Sequence, residues 1–365
     1  MKIVLVVRPA EGGILQHLQQ LLAGIPDFEF VLVGPSALQS WAQTRRFIPL
    51  EVADGLKIGQ DYAVIRRLRL ILKEERPQIV HAHGLKAALV TGLASRFPRR
   101  GRFLFTAHNM LPQPGSMFGR LGHRFVKRWI FTGMDRIISV SDAVRSQLIK
   151  YAPAGKVLTI RNGITLPKFS GHSRKKARQL QGLAPDAWAV GTVARLIPGK
   201  GLTALLEAVS LAAKVLPNLQ LIVVGDGPKK DKLVQYSRGL GLEGHVSFLG
   251  WRDDVPQLMA GWECFALPSL SEGFNLSVLE AMASRLPVVV SDLPSFREAV
   301  VPNRGGFLTA PGQVPELAAA LLHLYKEPEK AARMGEFNFQ RVSVLFGEKE
   351  MVECTRALYE GLVGR

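Results

Sequence analysis

The sequence predicts an α/β protein made of two doubly wound, Rossmann-like domains. Three observations carry that prediction. The chain has 365 residues, enough for two cores when a single domain runs ~100–200 residues. Short runs rich in Val, Ile and Phe alternate with segments of helical period, the pattern of parallel strands covered on both faces by helices. The alternation lapses once near the middle, in a stretch bearing Pro167, Gly171, Gly182 and Pro185, and then begins again.

In the first half, Lys2–Val7, Glu29–Val33, Gln78–His81, Arg102–Thr106, Arg136–Val140 and Val157–Ile160 read as strands. Gly13–Gly24, Asp61–Glu75, Leu85–Phe97, Met117–Phe131 and Asp142–Tyr151 carry apolar residues at helical spacing. The middle stretch, Leu166 to Pro185, with its basic cluster Arg174, Lys175, Lys176 and Arg178, reads as a linker holding one short helix. Beyond it, Ala187–Val193, Leu219–Val224, His245–Phe248, Glu263–Leu267, Pro287–Val290 and Gly306–Leu308 read as strands. Gly201–Val215, Lys229–Leu240, Ser277–Arg285 and Pro315–Tyr325 read as helices, and the last ~35 residues as helical throughout. The domains are expected at residues 1–168 and 169–345, with 346–365 a terminal helix packing back on the first domain.

Bulk properties exclude several classes. No apolar run approaches the ~20 residues of a membrane-spanning helix. The opening Met1 to Arg8 is too brief for a signal peptide and reads as a first strand, so a cytoplasmic protein is expected. Cys264 and Cys354 have no spacing that suggests a metal site or a disulfide framework. The formal net charge of +17 is unevenly placed: residues 1–168 hold 25 Lys and Arg against 10 Asp and Glu, and residues 169–365 hold 22 against 20. Such a basic half attracts phosphates, anionic lipid or nucleic acid.

The strongest local signal is the segment Pro268 to Ala283, PSLSEGFNLSVLEAMA, which leaves a strand, turns at Gly273 and enters a helix. Its carboxylates Glu272 and Glu280 are eight residues apart, one in the loop and one about a turn into the helix, flanking the N–H groups of Phe274, Asn275 and Leu276. Free N–H groups at a helix start suit an anion or hydroxyl oxygens, and carboxylates accept from sugar and ribose hydroxyls. Asn275 is a further candidate for sugar hydroxyls. An acidic pair at this spacing also occurs on plain solvated helix faces, and the adjoining Gly273 argues against that here.

This segment resembles the E-x7-E signature of retaining glycosyltransferases of the two-Rossmann-domain (GT-B) type, family 4. Residues 191–201, GTVARLIPGKG, resemble the family's donor-diphosphate loop, with Arg195 and Lys200 as its cations. Residues 225–228, GDGP, resemble its glycine turn and bring in Gly225 and Gly227. Glu11-Gly12-Gly13, Thr106-Ala107-His108, Ser139-Val140-Ser141 and Arg161-Asn162-Gly163-Ile164 follow in the family's order. The resemblance covers nearly the whole chain. It departs at Thr165, where the family usually has aspartate, which puts in question an acceptor or interdomain contact made by that carboxylate.

The resemblance implies two domains facing a central cleft and transfer of a hexosyl group from a UDP- or GDP-sugar with retention. Glu280 would hold the ribose hydroxyls, and Glu272 with Gly273, Phe274, Asn275 and Leu276 the donor sugar. Arg195, Lys200, Gly12 and Gly13 would stabilise the diphosphate, and His108 would support the sugar in the transition state. His81 and His83 flank Ala82, but no third ligand is evident beside them. No Asp-x-Asp triplet occurs either, so neither metal nor cofactor is expected.

The basic half is expected on the acceptor side. Residues 116–131 mix Met117, Phe118, Leu121, Phe125, Trp129 and Ile130 with Arg120, Arg124, Lys127 and Arg128, the composition of a basic amphipathic helix on an anionic membrane surface. A helix docked on its own sheet has the same look. With Asn162, these basic residues point to a lipid-linked or anionic glycan acceptor at the cytoplasmic membrane face, in cell-surface polysaccharide or glycolipid synthesis. Two other readings stay open: a nucleotide-sugar epimerase or hydrolase on the same frame, and a non-enzymatic polyanion or nucleic-acid binder. The last lacks clustered aromatic platforms and any nucleic-acid motif.

Overall fold

A computed structural model describes residues 1–9, 12–42, 45–52, 58–94, 101–111 and 126–364. The chain divides into two compact units, Met1–Gly163 with Glu348–Arg365, and Ile164–Gly347.

Unit 1 is built on a parallel seven-stranded sheet in the order β3-β2-β1-β4-β5-β6-β7. These strands are β1 Lys2–Val7, β2 Glu29–Gly34, β3 Arg46–Pro49, β4 Ile79–His83, β5 Arg102–Ala107, β6 Arg136–Ser139 and β7 Val157–Thr159. The central strands are buried on both faces: β4 is buried along its whole length, and so is β1 beyond Lys2. Helix Gly13–Gly24 lays Ile14, Leu18, Leu21 and Leu22 onto the sheet, beside Met351, Val352 and Tyr359 of the terminal helix Glu348–Val363. The return of the last helix is therefore a core contact, and Val352 sits against Gly24, where a Cβ would come within 2.6 Å of it.

Unit 2 carries a parallel six-stranded sheet ordered β10-β9-β8-β11-β12-β13. Its strands are β8 Trp188–Val193, β9 Leu219–Val224, β10 Val246–Gly250, β11 Cys264–Leu267, β12 Val288–Ser291 and β13 Gly306–Thr309. Helices Leu202–Ala213 and Val314–Lys326 pack on one face, contributing Leu205, Leu206, Val209, Leu317 and Leu321 to the core.

The sequence and structure part company in three places. Strand β3 has no counterpart in the sequence reading, because RFIP offers only two apolar residues, half-buried at the sheet edge, and ends at a proline suited to an edge. The helices Gln39–Ala42, Val255–Met259 and Pro294–Ala299 are too short to show a helical period. The expected linker is not free chain. Its helix Arg174–Leu180, capped by Ser173, belongs to unit 2. The buried Arg178 donates to the carbonyls of Gly261, Ala184 and Ala187 and pairs with Glu263 at 3.2 Å, while Gln181 accepts from Trp262 Nε1 at 2.6 Å. A cluster of cations looks solvated in sequence, and only the fold shows that two of them, Arg174 and Arg178, donate to backbone carbonyls and pair with Glu263.

Candidate functional site

In an open parallel sheet, ligands bind beyond the carboxyl ends of the strands, where the strand order reverses. In unit 2 that reversal lies between β8 and β11. The loops leaving these two strands are the segments that carry Arg195 and Lys200 on one side and Glu272 and Gly273 on the other.

The two loops are tied together. Leu270 N donates to Gly199 O at 2.8 Å. Gly201, with φ of +69°, passes so close to Pro268 that a Cβ would lie 1.8 Å from its carbonyl oxygen. Both its left-handed backbone and this contact require glycine. Lys200 Nζ lies 2.6 Å from Glu272 Oε1, and Ser269 Oγ donates to the same oxygen at 2.7 Å. Glu272 is buried, with a residue exposure of 9%. The carboxylate and the ammonium thus form a shielded, preorganised pair.

Helix Leu276–Ala283 starts at this point, with Phe274 and Leu276 buried behind it. Asn275 caps it, its Oδ1 accepting from Val278 N at 3.2 Å. Asn275, expected among the donor-binding residues, therefore also has a structural part: its carbonyl oxygen caps the helix. Glu280 is half-buried on this helix, and Arg195 is exposed just past β8. Gly225 and Gly227 follow β9 and thread past the β8 loop, where Leu196 N donates to Asp226 O at 2.8 Å and Lys229 N to Leu196 O at 2.9 Å. These bonds leave the loop little freedom.

Unit 1 reverses between β1 and β4. Gly12, at φ of +57°, precedes helix Gly13–Gly24, and its carbonyl accepts from Gln16 N at 3.1 Å. Glu11 lies outside the described residues. His108, just past β5, is buried, and its Nε2 is 3.0 Å from His83 Nδ1 at the end of β4. His17 joins them from the helix, with ring centroids 5.7 Å from His83 and 5.0 Å from His108. His83 therefore has two histidine neighbours that sequence spacing did not show. His81 belongs to a separate pair of bonds, to Tyr359 Oη and Thr106 Oγ1, both at 2.7 Å. Burial drives all four imidazoles towards the neutral form, His17 to a pKa of about 4 and His81, His83 and His108 well below their ordinary value. Asn162 is buried against His17 and weakly opposes its shift.

The residues expected on the acceptor side are divided. Arg120 and Arg124 lie outside the described residues, and residues 126–132 are helical. Arg128 is exposed, as are Val126 and Trp129. Lys127 is a correction. It is only 3% exposed, and its ammonium lies 5.1 Å from the ring centre of Tyr151. Burial also lowers its pKa. A side chain turned inward against an aromatic face cannot meet a membrane. Among the described residues, no helix is long and apolar enough to cross one.

Two family profiles match the chain in tandem: "Glycosyltransferase Family 4" over residues 12–167 and "Glycosyl transferases group 1" over residues 173–341. The chain belongs to glycosyltransferase family 4. Among its relatives, the putative glycosyltransferase EpsD of Bacillus subtilis (strain 168) is 27% identical over 309 residues, 82% of this chain and 81% of EpsD. The Escherichia coli UDP-Gal:alpha-D-GlcNAc-diphosphoundecaprenol alpha-1,3-galactosyltransferase is 27% identical over 291 residues, 77% of this chain and 74% of that enzyme. The crystal structure of Anabaena HepE in complex with UDP-glucose superposes with a TM-score of 0.86 at 24% identity, covering 99% of this chain and all of HepE. The α/β, two-Rossmann-domain GT-B fold is thereby shown.

Some residues of this glycosyltransferase escaped the sequence reading. Ser269 fixes Glu272 but sits in an unremarkable strand-end loop. His17 left one signal, a polar residue inside the apolar stripe of Ile14, Leu18 and Leu21. Tyr359 interrupts the apolar stripe of the last helix in the same way.

Proposed function

We propose that this glycosyltransferase moves a hexosyl group from a UDP- or GDP-sugar to a lipid-linked or anionic glycan, with retention and without a metal. The observation that carries this reading is the Lys200–Glu272 pair at the switch point of unit 2, beside a helix start. A preorganised cation in a shielded site stabilises charge growing on a departing diphosphate. A carboxylate held in one orientation by Ser269 accepts from sugar hydroxyls. In this mechanism the bond from the anomeric carbon to the diphosphate breaks as the acceptor oxygen bonds on the same face. The departing phosphate oxygen takes the acceptor proton. Arg195 and Lys200 offset the charge, Glu280 binds the ribose, and neutral His108 supports the sugar.

The relatives support this reading by their chemistry: one is a galactosyltransferase acting from UDP-Gal on a diphosphoundecaprenol-linked sugar, and HepE is complexed with UDP-glucose. The basic excess of the first half and the exposed Val126, Arg128 and Trp129 support an acceptor presented at an anionic membrane surface on the cytoplasmic side.

The test is a thermal-shift screen against UDP, GDP, ADP and their common sugars in the presence of chelator. Stabilisation by one nucleoside diphosphate, weakened in Lys200→Ala and Glu280→Ala, supports the donor site and names the base. No shift with any of them overturns it. The anomeric configuration of the product, read by NMR, decides retention.

A further inference from the structure

The histidine cluster of unit 1 has more ligand atoms than the transfer reaction uses. His17 comes from the helix after β1, His83 from the end of β4 and His108 from the end of β5. One ligand atom from each lies within 4.8 Å of the other two. A tetrahedral zinc with bonds of ~2.0–2.1 Å sets its nitrogens about 3.4 Å apart, so the atoms need to converge by at most about 1.4 Å. The pair His83 Nδ1 and His108 Nε2 is already at 3.0 Å.

The polar accounting points the same way. At least one ring nitrogen of His17 and Nε2 of His83 are buried without a hydrogen-bond partner among the described residues, while Asn162 stands against the other nitrogen of His17. Buried polar atoms are nearly always satisfied, so orphans in one cluster point to a bound species, an ion or a water. His81 shows the contrast in the same layer: both of its nitrogens have partners, Tyr359 and Thr106, and it is not among the converging three.

We propose that His17, His83 and His108 form a binding site for a zinc-class transition-metal ion, and that occupancy withdraws His108 from sugar transfer. The second half rests on the function proposed above; the first does not. Imidazole nitrogens select zinc, cobalt or copper over magnesium and calcium. Among the described residues no carboxylate belongs to the cluster, and Arg8 adds positive charge near His108. A dication held there takes an anion, hydroxide or a phosphate oxygen, as its fourth ligand. The metal is thus an inhibitor of the transferase and not its cofactor.

The experiment uses the tag-free full chain, stripped with chelator, loaded with one equivalent of Zn²⁺ or Co²⁺ and desalted. Metal content by elemental mass spectrometry is expected near one ion per chain, with the visible absorption of tetrahedral Co²⁺. His17→Ala and His83→Ala are expected to lower retention at least tenfold, whereas His172→Ala on the surface retains it. Circular dichroism of each stripped variant separates lost ligation from lost folding, and His17→Gln replaces any variant that fails to fold. Less than a tenth of an ion per chain, equal retention by folded His17 variants, or displacement by equimolar Mg²⁺ overturns the site. At full occupancy, donor turnover is expected to fall at least tenfold and return with chelator; unchanged turnover overturns the inhibitory role. Metal content is read without any sugar substrate, so failure of the transferase reading leaves it intact.

Discussion

Lys200 Nζ and Glu272 Oε1 meet at 2.6 Å, joining the loop after β8 to the loop after β11. The two residues are 72 positions apart in sequence, and Ser269 holds the same carboxylate oxygen. A buried pair of this kind is costly to break from one side, since the remaining charge stays shielded from water. Lys200→Met and Glu272→Gln are each expected to lower the denaturation midpoint, and the double variant to recover part of the loss. A urea double-mutant cycle measures the coupling, expected at about 1–3 kcal/mol. Additive losses would mean that the pair is not coupled.

The same lysine is expected to matter to chemistry. Removing one preorganised charge-stabilising group from an active site typically costs about 10²–10³ in kcat. Lys200→Ala should fall in that range in a donor-turnover assay, while Glu280→Ala, which removes the proposed ribose ligand, should raise the KM for donor with a smaller effect on kcat. A Lys200→Ala variant with native kcat would remove the diphosphate role.

Gly201 offers a purely structural test. Alanine there would combine a left-handed backbone with a Cβ 1.8 Å from Pro268 O. Gly201→Ala should destabilise unit 2 by at least about 2 kcal/mol. Gly171→Ala, where φ is +77° with open space around the new Cβ, should cost less. The comparison of melting curves isolates the close approach from the backbone conformation.

The histidines make stability depend on pH. His17 titrates at about 4 in the fold, below its ordinary value of 6.5, because burial disfavours its charged form. The unfolded chain therefore binds the proton more readily, and stability is full above pH 6.5 and falls as pH drops towards 4. For His17 alone the loss is about 3 kcal/mol, and His83 and His108, facing it, shift in the same direction. Urea midpoints of metal-stripped protein at pH 5 and 7.5 should differ accordingly, and His17→Phe should narrow the gap.

Vesicle flotation tests the proposed membrane contact. Replacing Arg120, Arg124 and Arg128 by glutamine should weaken binding to vesicles containing anionic lipid, in a salt-dependent way. Lys127→Gln should leave vesicle binding unchanged, because the lysine is buried against Tyr151. Unchanged binding by the triple variant would sink the membrane contact.

Local chemistry made much of the molecule legible in sequence. Strand β1 and helix Gly13–Gly24 have the bounds their patterns predict, because a doubly buried strand is a continuous apolar run and a covering helix repeats at 3.6 residues. The Glu272 to Glu280 segment announced itself because its loop, glycine and helix start are contiguous. Edge strand β3 did not, since half-burial needs few apolar residues.

What the sequence by itself determined is therefore what neighbours along the chain decide: the alternation of elements, the loops that follow β8 and β11, and the family they belong to. The tertiary structure alone decided what those residues meet. It paired Lys200 with Glu272, gave Asn275 a helix to cap and buried Lys127 and Arg178 among partners a charge pattern does not reveal. It also drew His17, His83 and His108 together from three separate elements. Parallel strands bring loops from distant parts of the chain to one sheet edge, so contacts there depend on strand order, which no local period encodes.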